Sequence, residues 1–368
     1  MDERNLLQEA ERQLVICNAC RYCEGFCPVF RAIETRRDFK KGDVFYLANL
    51  CHDCRACYYA CMYSPPHEFA VNIPQIMAAV RPVSYRSWSW PAFLARSFTD
   101  RGRRIRILLT VIAIVIVSSV FLIPTDHLFS RHLGPGAFYQ IVPYLAMVIP
   151  AILLFLYWMG IWSRGTAGFV SDVPIAPSSG LRVLAKAAIA AIGLKYLGGG
   201  GPGCTYPEQR PSSSRRFYHL LVFWGFLSDL ASTCAAAIYQ DVLHRQPPYQ
   251  LSSLPVVLGS LGGVALIIGT AGLIYLKMRS DPAPAAKRTY GMDYAFLVTL
   301  GLAALSGMLT LIVRTTQFLG SLLILHLALV AALFLTAPYG KFVHALYRSL
   351  ALIKYYVEQE RKRYGVEG

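Results

Sequence analysis

The sequence reads Cys17-Asn-Ala-Cys20-Arg-Tyr-Cys23-Glu-Gly-Phe-Cys27-Pro28 near its start, and the same spacing returns at Cys51-His-Asp-Cys54-Arg-Ala-Cys57-Tyr-Tyr-Ala-Cys61. Each run has three cysteines at intervals of three residues and a fourth after a longer interval. This spacing is typical of proteins with two [4Fe–4S] clusters, in which the fourth cysteine of each run ligates the other cluster. The sequence therefore predicts one cluster on Cys17, Cys20, Cys23 and Cys61, and a second on Cys51, Cys54, Cys57 and Cys27.

Two other uses of the cysteines fit the sequence less well. Zinc sites are usually built from pairs of Cys-x2-Cys rather than from repeated triplets with a fourth cysteine. A disulfide framework requires export, and the charged opening of the chain before Cys17 lacks the apolar segment of a signal peptide. We therefore expect the cysteines to lie in a reducing cytoplasm.

The rest of the chain has the composition of a membrane protein. Of its 368 residues, 55% are hydrophobic and only 15% are charged, which is unusual for a soluble domain. Six apolar stretches are long enough to cross about 30 Å of hydrocarbon as helices. We expect them at residues 105–123, 138–162, 217–239, 254–276, 290–313 and 318–338.

The distribution of lysine and arginine predicts how these spans are oriented. Basic residues are concentrated before the first span and in the loops after the second and fourth spans, whereas the opposite loops carry only Arg131, Arg245 and Arg314. Because cytoplasmic loops retain positive charge, we expect both termini to be cytoplasmic. This topology accounts for the net charge of +15, so that charge does not indicate nucleic-acid binding.

Three regions follow from these patterns in a mainly α-helical chain. We expect a cytoplasmic ferredoxin-like domain with two [4Fe–4S] clusters at 1–95, a transmembrane domain at 96–345 with a cytoplasmic loop at 163–216, and a basic cytoplasmic tail at 346–368. Within the loop, residues 181–195 predict a basic amphipathic helix at the membrane surface. The glycines at 198–203 predict a flexible segment, since no Gly-Lys-Ser/Thr completes a phosphate-binding loop. Cys204 then has either no role or a contact with the cluster domain or a partner.

His326 and His344, near the end of the chain, are candidate haem ligands, each of which would need a partner on another helix. The separation of His326 and His344 is about five turns, which predicts one face of a continuous helix and a rise of about 27 Å between them. His344 and His219 both fall at the cytoplasmic end of a predicted span. Imidazoles from two helices at one depth can be the axial ligands of a b-type haem, although histidines at helix ends are also commonly solvated by lipid headgroups.

A second haem would need a partner for His326 deeper in the third span. The residue about three turns beyond His219 is Asp229, which is a poor haem ligand. Paired polar groups in membranes are commonly functional. We therefore expect either a hydrogen bond between His326 and Asp229 or a contact of these residues with a quinone headgroup.

Several of these stretches resemble a known family. Residues 16–27, 46–54 and 65–72, together with the glycine-rich stretch that ends at Cys204, are similar to the tricarballylate/citrate utilisation protein B family. The last span, from Leu325-His326 to Val343-His344, resembles the cytochrome b subunit of respiratory nitrate reductase. The resemblance implies a six-helix bundle like that of a respiratory cytochrome b subunit, in which positions matching His219, His326 and His344 ligate haem. The fourth ligand position matches Asp229, so the chain departs from that pattern, and we expect one haem b held by His219 and His344.

The resemblance also implies a function. It predicts a protein of the bacterial inner membrane that reoxidises a cytoplasmic FAD-dependent tricarballylate dehydrogenase and passes the electrons through two clusters and haem to quinone. Substrate oxidation would belong to the flavoprotein, so we expect no catalytic residue in this chain. Two alternatives remain: a haem-free Fe–S anchor of another dehydrogenase or of a heterodisulfide-reductase-like complex, and a transporter with a ferredoxin redox-sensing domain.

Overall fold

The computed structural model describes residues 2–98, 101–176 and 180–363, and within these ranges the protein is mainly α-helical and contains no β-strand. The helices of the first quarter are α1 (Glu3–Cys20), α2 (Pro28–Ile33), α3 (Lys41–Leu50), α4 (Ala56–Tyr59), α5 (Ile73–Trp88) and α6 (Ala92–Ser97). They are followed by α7 (Arg101–Leu122), α8 (Thr125–Leu128), α9 (Ala137–Ile141), α10 (Tyr144–Asp172) and α11 (Leu181–Ile192). The chain continues with α12 (Ser214–Asp241), α13 (Leu254–Arg279), α14 (Tyr290–Ile312), α15 (Leu319–Thr336) and α16 (His344–Arg363).

Six of these helices are long and apolar enough to cross a membrane, which confirms the predicted number of spans. The candidate spans are Gly102–Leu122, Tyr144–Asp172, Ser214–Asp241, Leu254–Arg279, Lys287–Ile312 and Leu319–Tyr339. The second span begins later than predicted because Pro143 separates α9 from α10. It also continues past the apolar stretch to Asp172, where the helix reaches the N-terminal part of the chain.

Helices α1 to α5, which we call the head, contribute most of one large hydrophobic core. Asp2 caps α1 by accepting a hydrogen bond from the Glu3 backbone N–H. One face of α1 buries Leu6, Ala10 and Leu14, a spacing of four residues that keeps side chains on one side of a helix. This face packs against α3 and α5, which also pack against each other.

Close helix packing defines the membrane bundle. Helices α12 and α13 approach each other where Gly225 meets the backbone of Gly262 and where Gly269 lies against Val222. Small residues allow such an approach between helices in lipid. Helices α13, α14 and α15 pack in sequence, and α7 lies against α15.

The last predicted span and the residues that follow it do not form one continuous helix. Helix α15 ends at Thr336, and short 3₁₀ turns at Ala337–Tyr339 and Lys341–Val343 precede α16. Pro338 lacks a backbone N–H to donate, and Gly340 between the turns is extended. The prediction that His326 and His344 share one face of a single helix is therefore wrong.

The C-terminal segment differs from the expected tail, because residues 344–363 form α16. This helix packs against α11, α10 and α3. Arg36 pairs with Glu358 at 2.6 Å, and the Tyr46 hydroxyl donates to the same carboxylate at 3.0 Å. Tyr347, Leu352 and other residues of α16 belong to the core of the head. Residues 364–368 of the predicted tail lie outside the described residues.

Tyr347 tests whether α16 is part of the head. Its ring is 1% exposed and packs against Tyr85, Trp88 and Phe169. Tyr347→Ala should destabilise the protein by about 3 to 5 kcal/mol, as expected for loss of a buried aromatic ring, and should lower the melting temperature in detergent. Phe121→Ala, at an 85% exposed position of α7, is the control. Equal melting temperatures of the two variants would contradict a shared core.

Candidate cluster and histidine sites

Four cysteines surround a cavity of about 350 Å³ in the head. The cavity is lined by Cys17, Cys20, Cys23 and Cys61 together with apolar side chains. Cys17 and Cys20 lie in the last turn of α1, which ends because Arg21 adopts a left-handed conformation with φ of 55°. This turn directs the chain back so that Cys23 faces the same space, and Cys61 arrives after α4.

The other four cysteines surround a second cavity of about 380 Å³. Cys51 follows α3, and the left-handed Arg55 begins α4, which carries Cys57. Cys27 comes from the first run and is the residue before α2, whose first position is Pro28. The structure therefore brings the eight cysteines together in the two crossed sets of four expected from the spacing. The cavities are adjacent, since Phe30 lines both.

The cysteines of both cavities are partly buried, and Cys51 is fully buried. Burial, the largest cause, raises the pKa of Cys23 and of Cys54 to about 12, and it raises the pKa of the Cys17 and Cys27 thiols as well. Thiolates at these positions therefore need a bound cation, because metal ligands must be deprotonated. Among the described residues, no three His, Cys, Asp or Glu side chains converge on a position for a single ion, and a cube of iron and sulfur is a larger group.

Two partly buried arginines, one on the membrane helix α12 and one on α16, bind the loop beside the second cavity. Arg348 of α16 donates to the Cys51 carbonyl at 3.0 Å. Arg215 of α12 donates to the carbonyls of His52 and Asp53 at 2.9 and 2.6 Å. Hydrogen bonds from a charged donor are stronger than neutral ones. Three consecutive carbonyls of the loop that begins with Cys51 are thus bound by helices of the bundle.

The glycine-rich segment packs against both cysteine runs instead of being a free loop. The α carbon of Gly200 lies against the Phe26 carbonyl, where no Cβ would fit. Thr205 donates its backbone N–H to the Cys54 carbonyl at 2.9 Å, and Cys204 is buried beside Cys54. Of the two predictions for Cys204, contact with the cluster domain is confirmed. Tyr206 lies between the guanidinium groups of Arg55 and Arg215.

His219 and His344 lie next to each other, one helical turn from these arginines. Their ring centroids are 6.1 Å apart and the rings are nearly perpendicular. His344 donates from Nδ1 to the Lys341 carbonyl at 2.5 Å, which leaves Nε2 as a lone-pair donor. Burial, followed by the charges of Arg348 and Lys341, holds the pKa of His344 well below its ordinary value. Its imidazole is therefore neutral near pH 7, the form that ligates metals.

His326 and Asp229 are not brought together. His326 faces α14, where Nδ1 donates to the Ala303 carbonyl at 3.1 Å and lies 3.1 Å from the Ser306 hydroxyl. Asp229 lies against Gly262 of α13. The expected hydrogen bond between His326 and Asp229 is therefore absent from the described part of the chain, because each side chain faces a different helix.

Sequence reasoning missed the two arginines and Tyr206. Arg215 and Arg348 each lie one turn from a candidate histidine, with Arg215 before His219 and Arg348 after His344. That spacing places the members of each pair on one face of a helix. It is the signal in the sequence by which the arginines were detectable.

The fold and the cysteine sites define a multi-pass membrane protein with a cysteine-rich head at one end of a helical bundle. The family model for the Fer4-like domain of citrate utilization protein B matches residues 10–87, and the model for citrate utilization protein B itself matches residues 99–365. The chain belongs to this family. It is 40% identical over 366 residues to the citrate utilization protein B of Escherichia coli, covering 98% of this chain and 95% of that protein. No solved structure matches it.

Gly200 and its neighbour provide a matched test of the packed loop. In Gly200→Ala the new Cβ would overlap the Phe26 backbone carbonyl, whereas in Gly201→Ala it would make an ordinary 3.6 Å contact with the Gly25 oxygen. Gly200→Ala should cost about 1 to 3 kcal/mol through overpacking, seen as a lower melting temperature and faster maleimide labelling of Cys204. Gly201→Ala should behave as wild type. Similar values for both variants would show that the loop is free of the head.

Proposed function

We propose that this chain is a membrane-bound electron carrier that reoxidises a cytoplasmic FAD-dependent dehydrogenase of tricarballylate or a related tricarboxylate. Two [4Fe–4S] clusters and one haem b would carry the electrons to membrane quinone. The observation that carries the proposal is the continuous arrangement of two four-cysteine cavities and a histidine pair, joined by Arg215 and Arg348. The name of the E. coli relative supports a tricarboxylate as the substrate of the partner.

The donor set of the head suits the proposed clusters. Cys17, Cys20, Cys23 and Cys61 would hold one cluster, and Cys51, Cys54, Cys57 and Cys27 the other. When bound, such clusters supply one-electron chemistry. The second set shares its cavity with the apolar side chains of Phe30 and Pro74 and with Tyr196.

The packing of the two cavities supports a direction for the electrons. Among the described residues, those lining the first cavity all lie between 16 and 71, within the head, which supports this site as the one that receives electrons from a flavoprotein. The segment beginning at Cys51 is bound by α12 and α16 and lies closer to the bilayer. Arg215 and Arg348 also bring positive charge to this side, which favours the reduced, more negative state of a bound cluster. Electrons would therefore enter at the first site and leave from the second.

The histidine pair suits one haem b. Two imidazoles that share one metal on opposite sides have ring centres about 6 Å apart, given metal–nitrogen bonds of about 2 Å, and the observed separation is 6.1 Å. His344 is held by its Nδ1 hydrogen bond, as ligating histidines usually are. His219 Nδ1 is buried without a hydrogen-bond partner among the described residues. We propose His219 and His344 as the axial ligands.

The proposed orientation has the head and both termini in the cytoplasm, within the bacterial inner membrane. Basic residues at the head end of the bundle include Arg215, Lys277 and Lys341. This bias is typical of the cytoplasmic side.

Replacement of one cysteine tests the crossed ligand sets. Cys27→Ser should lose the cluster otherwise held with Cys51, Cys54 and Cys57, so the non-haem iron content falls from about eight to about four per chain. EPR should then show only the first cluster, and reduction of the haem by the reduced flavoprotein should slow. The matched control is Cys204→Ser, at a buried cysteine beside Cys54 but outside the eight. Loss of the first cluster in Cys27→Ser would contradict the assignment.

Single histidine variants test the haem. His219→Ala and His344→Ala should each remove the same Soret and alpha bands from the dithionite-reduced spectrum, because each takes one axial ligand. His326→Ala, whose side chain bonds to α14, should keep both bands. Full haem content in a variant lacking both His219 and His344 would refute the site, and a wild-type spectrum with only the broad Fe–S absorption would favour the haem-free anchor.

A further inference from the structure

A third cavity, of about 330 Å³, lies within the membrane bundle at its head end. It is lined by residues of α7, α14 and α15, by Phe98 and by the turns that join α15 to α16. Its walls are mostly apolar and include the rings of Phe98, Phe296 and Phe342. The aromatic lining suits one planar ring.

Cationic and polar groups line the same cavity. Arg104 is 7% exposed and donates from Nε to the Phe98 carbonyl at 2.9 Å. Lys341 pairs with Asp293 at 2.8 Å, and Lys277 pairs with the other oxygen of this carboxylate at 2.7 Å. The cavity therefore combines apolar walls with a few fixed donors, as ligand sites usually do.

The flanks of the cavity are apolar surface within the spans. Leu108 of α7 lines the cavity, while Ile105 and Leu109 beside it are exposed; on α14, Thr299 lines it and Val298 is exposed. Exposed apolar side chains within membrane spans face lipid. The helices that line the cavity therefore also face lipid, so a lipophilic ligand would meet hydrocarbon beside its site.

The cavity also adjoins the histidine pair. Lys341, which lines it, accepts the Nδ1 hydrogen bond of His344 through its backbone carbonyl. Phe342, also in the wall, packs edge-on against Phe226 of α12 at 5.1 Å, about two turns from His219 on the same helix. The wall is therefore in contact with both helices that carry the proposed haem ligands.

We infer that this cavity binds the headgroup of a membrane quinone. The inference rests on the proposed function and assigns its electron acceptor a site, different from the one expected near His326 and Asp229. The quinone ring would pack against the phenylalanines, its carbonyl oxygens would accept hydrogen bonds from cationic side chains, and its isoprenoid tail would pass into lipid. Reduction adds two electrons, delivered singly from the reduced flavin of the partner, and two protons from cytoplasmic water, so each C=O becomes C–OH.

A substitution that fills the cavity tests this site directly. Ala295 lines the cavity, and Val298, on the same helix, is 45% exposed. The probe is a hydroxyquinoline N-oxide, a quinol analogue whose fluorescence is quenched on binding. Ala295→Phe should weaken its affinity for the protein in nanodiscs by about tenfold or more, because the ring occupies the space of the headgroup. Val298→Phe should stay within about twofold of wild type, and Ala295→Leu should be intermediate.

The outcomes separate this site from the proposed function. Probe binding requires no cluster and no haem, so a protein without redox cofactors that still binds the probe in this pattern would refute the electron carrier and retain the site. Conversely, Ala295→Phe should still pass electrons to ferricyanide while failing with quinone. Unchanged probe affinity in Ala295→Phe, or equal losses in both phenylalanine variants, would overturn the inference. The inference would also be overturned if mass spectrometry found a bound phospholipid that is lost only in Ala295→Phe while probe affinity is unchanged.

Discussion

The contact on which the arrangement of sites depends is a set of hydrogen bonds from two partly buried guanidinium groups to three consecutive backbone carbonyls. Arg348 binds the Cys51 oxygen, and Arg215 binds the oxygens of His52 and Asp53. Hydrogen bonds to charged groups contribute about 1.5 to 3 kcal/mol each. The loop that carries a cysteine of the second cavity is thereby fixed at the level of the histidine pair.

The same region shows how one set of residues serves both packing and charge. The guanidinium groups of Arg55 and Arg215 both pack over the ring of Tyr206, so two cations share one aromatic ring. The glycine-rich segment closes the remaining gap by direct backbone contact with Phe26 and Cys54. The second cavity therefore has positive groups and small residues beside it, whereas the described residues that line the first cavity are mainly apolar side chains and cysteines of the head. This asymmetry is the physical basis for assigning different ends of the proposed path to the two sites.

Much of the fold and half of the site could be predicted from the sequence. Cysteine spacing is local, so the crossed sets around the two cavities follow from the positions of Cys27 and Cys61 alone. The six spans follow from apolar length, and the place of His219 near His344 follows from depth. The break after Thr336 was not predicted, because a proline such as Pro338 is equally compatible with a kinked helix and with the end of a helix. Helix α16 was predicted as a tail because of its basic residues. Its buried face, with Tyr347, Ala351 and Tyr355, packs against residues up to about 300 positions earlier in the chain, which local sequence patterns do not indicate. The predicted hydrogen bond between His326 and Asp229 is absent among the described residues. The sequence gives the depth of a residue in the membrane but not which neighbouring helix its side chain faces.

The shared core has a consequence for how the protein is made. The hydrophobic cluster of the head joins Leu6 of α1 to Tyr355 of α16, so this core needs residues from both ends of the described sequence. The six apolar helices are translated before Tyr347 and Leu352, which complete that cluster. The cysteines of the head therefore lie in an unfinished fold until α16 has been synthesised.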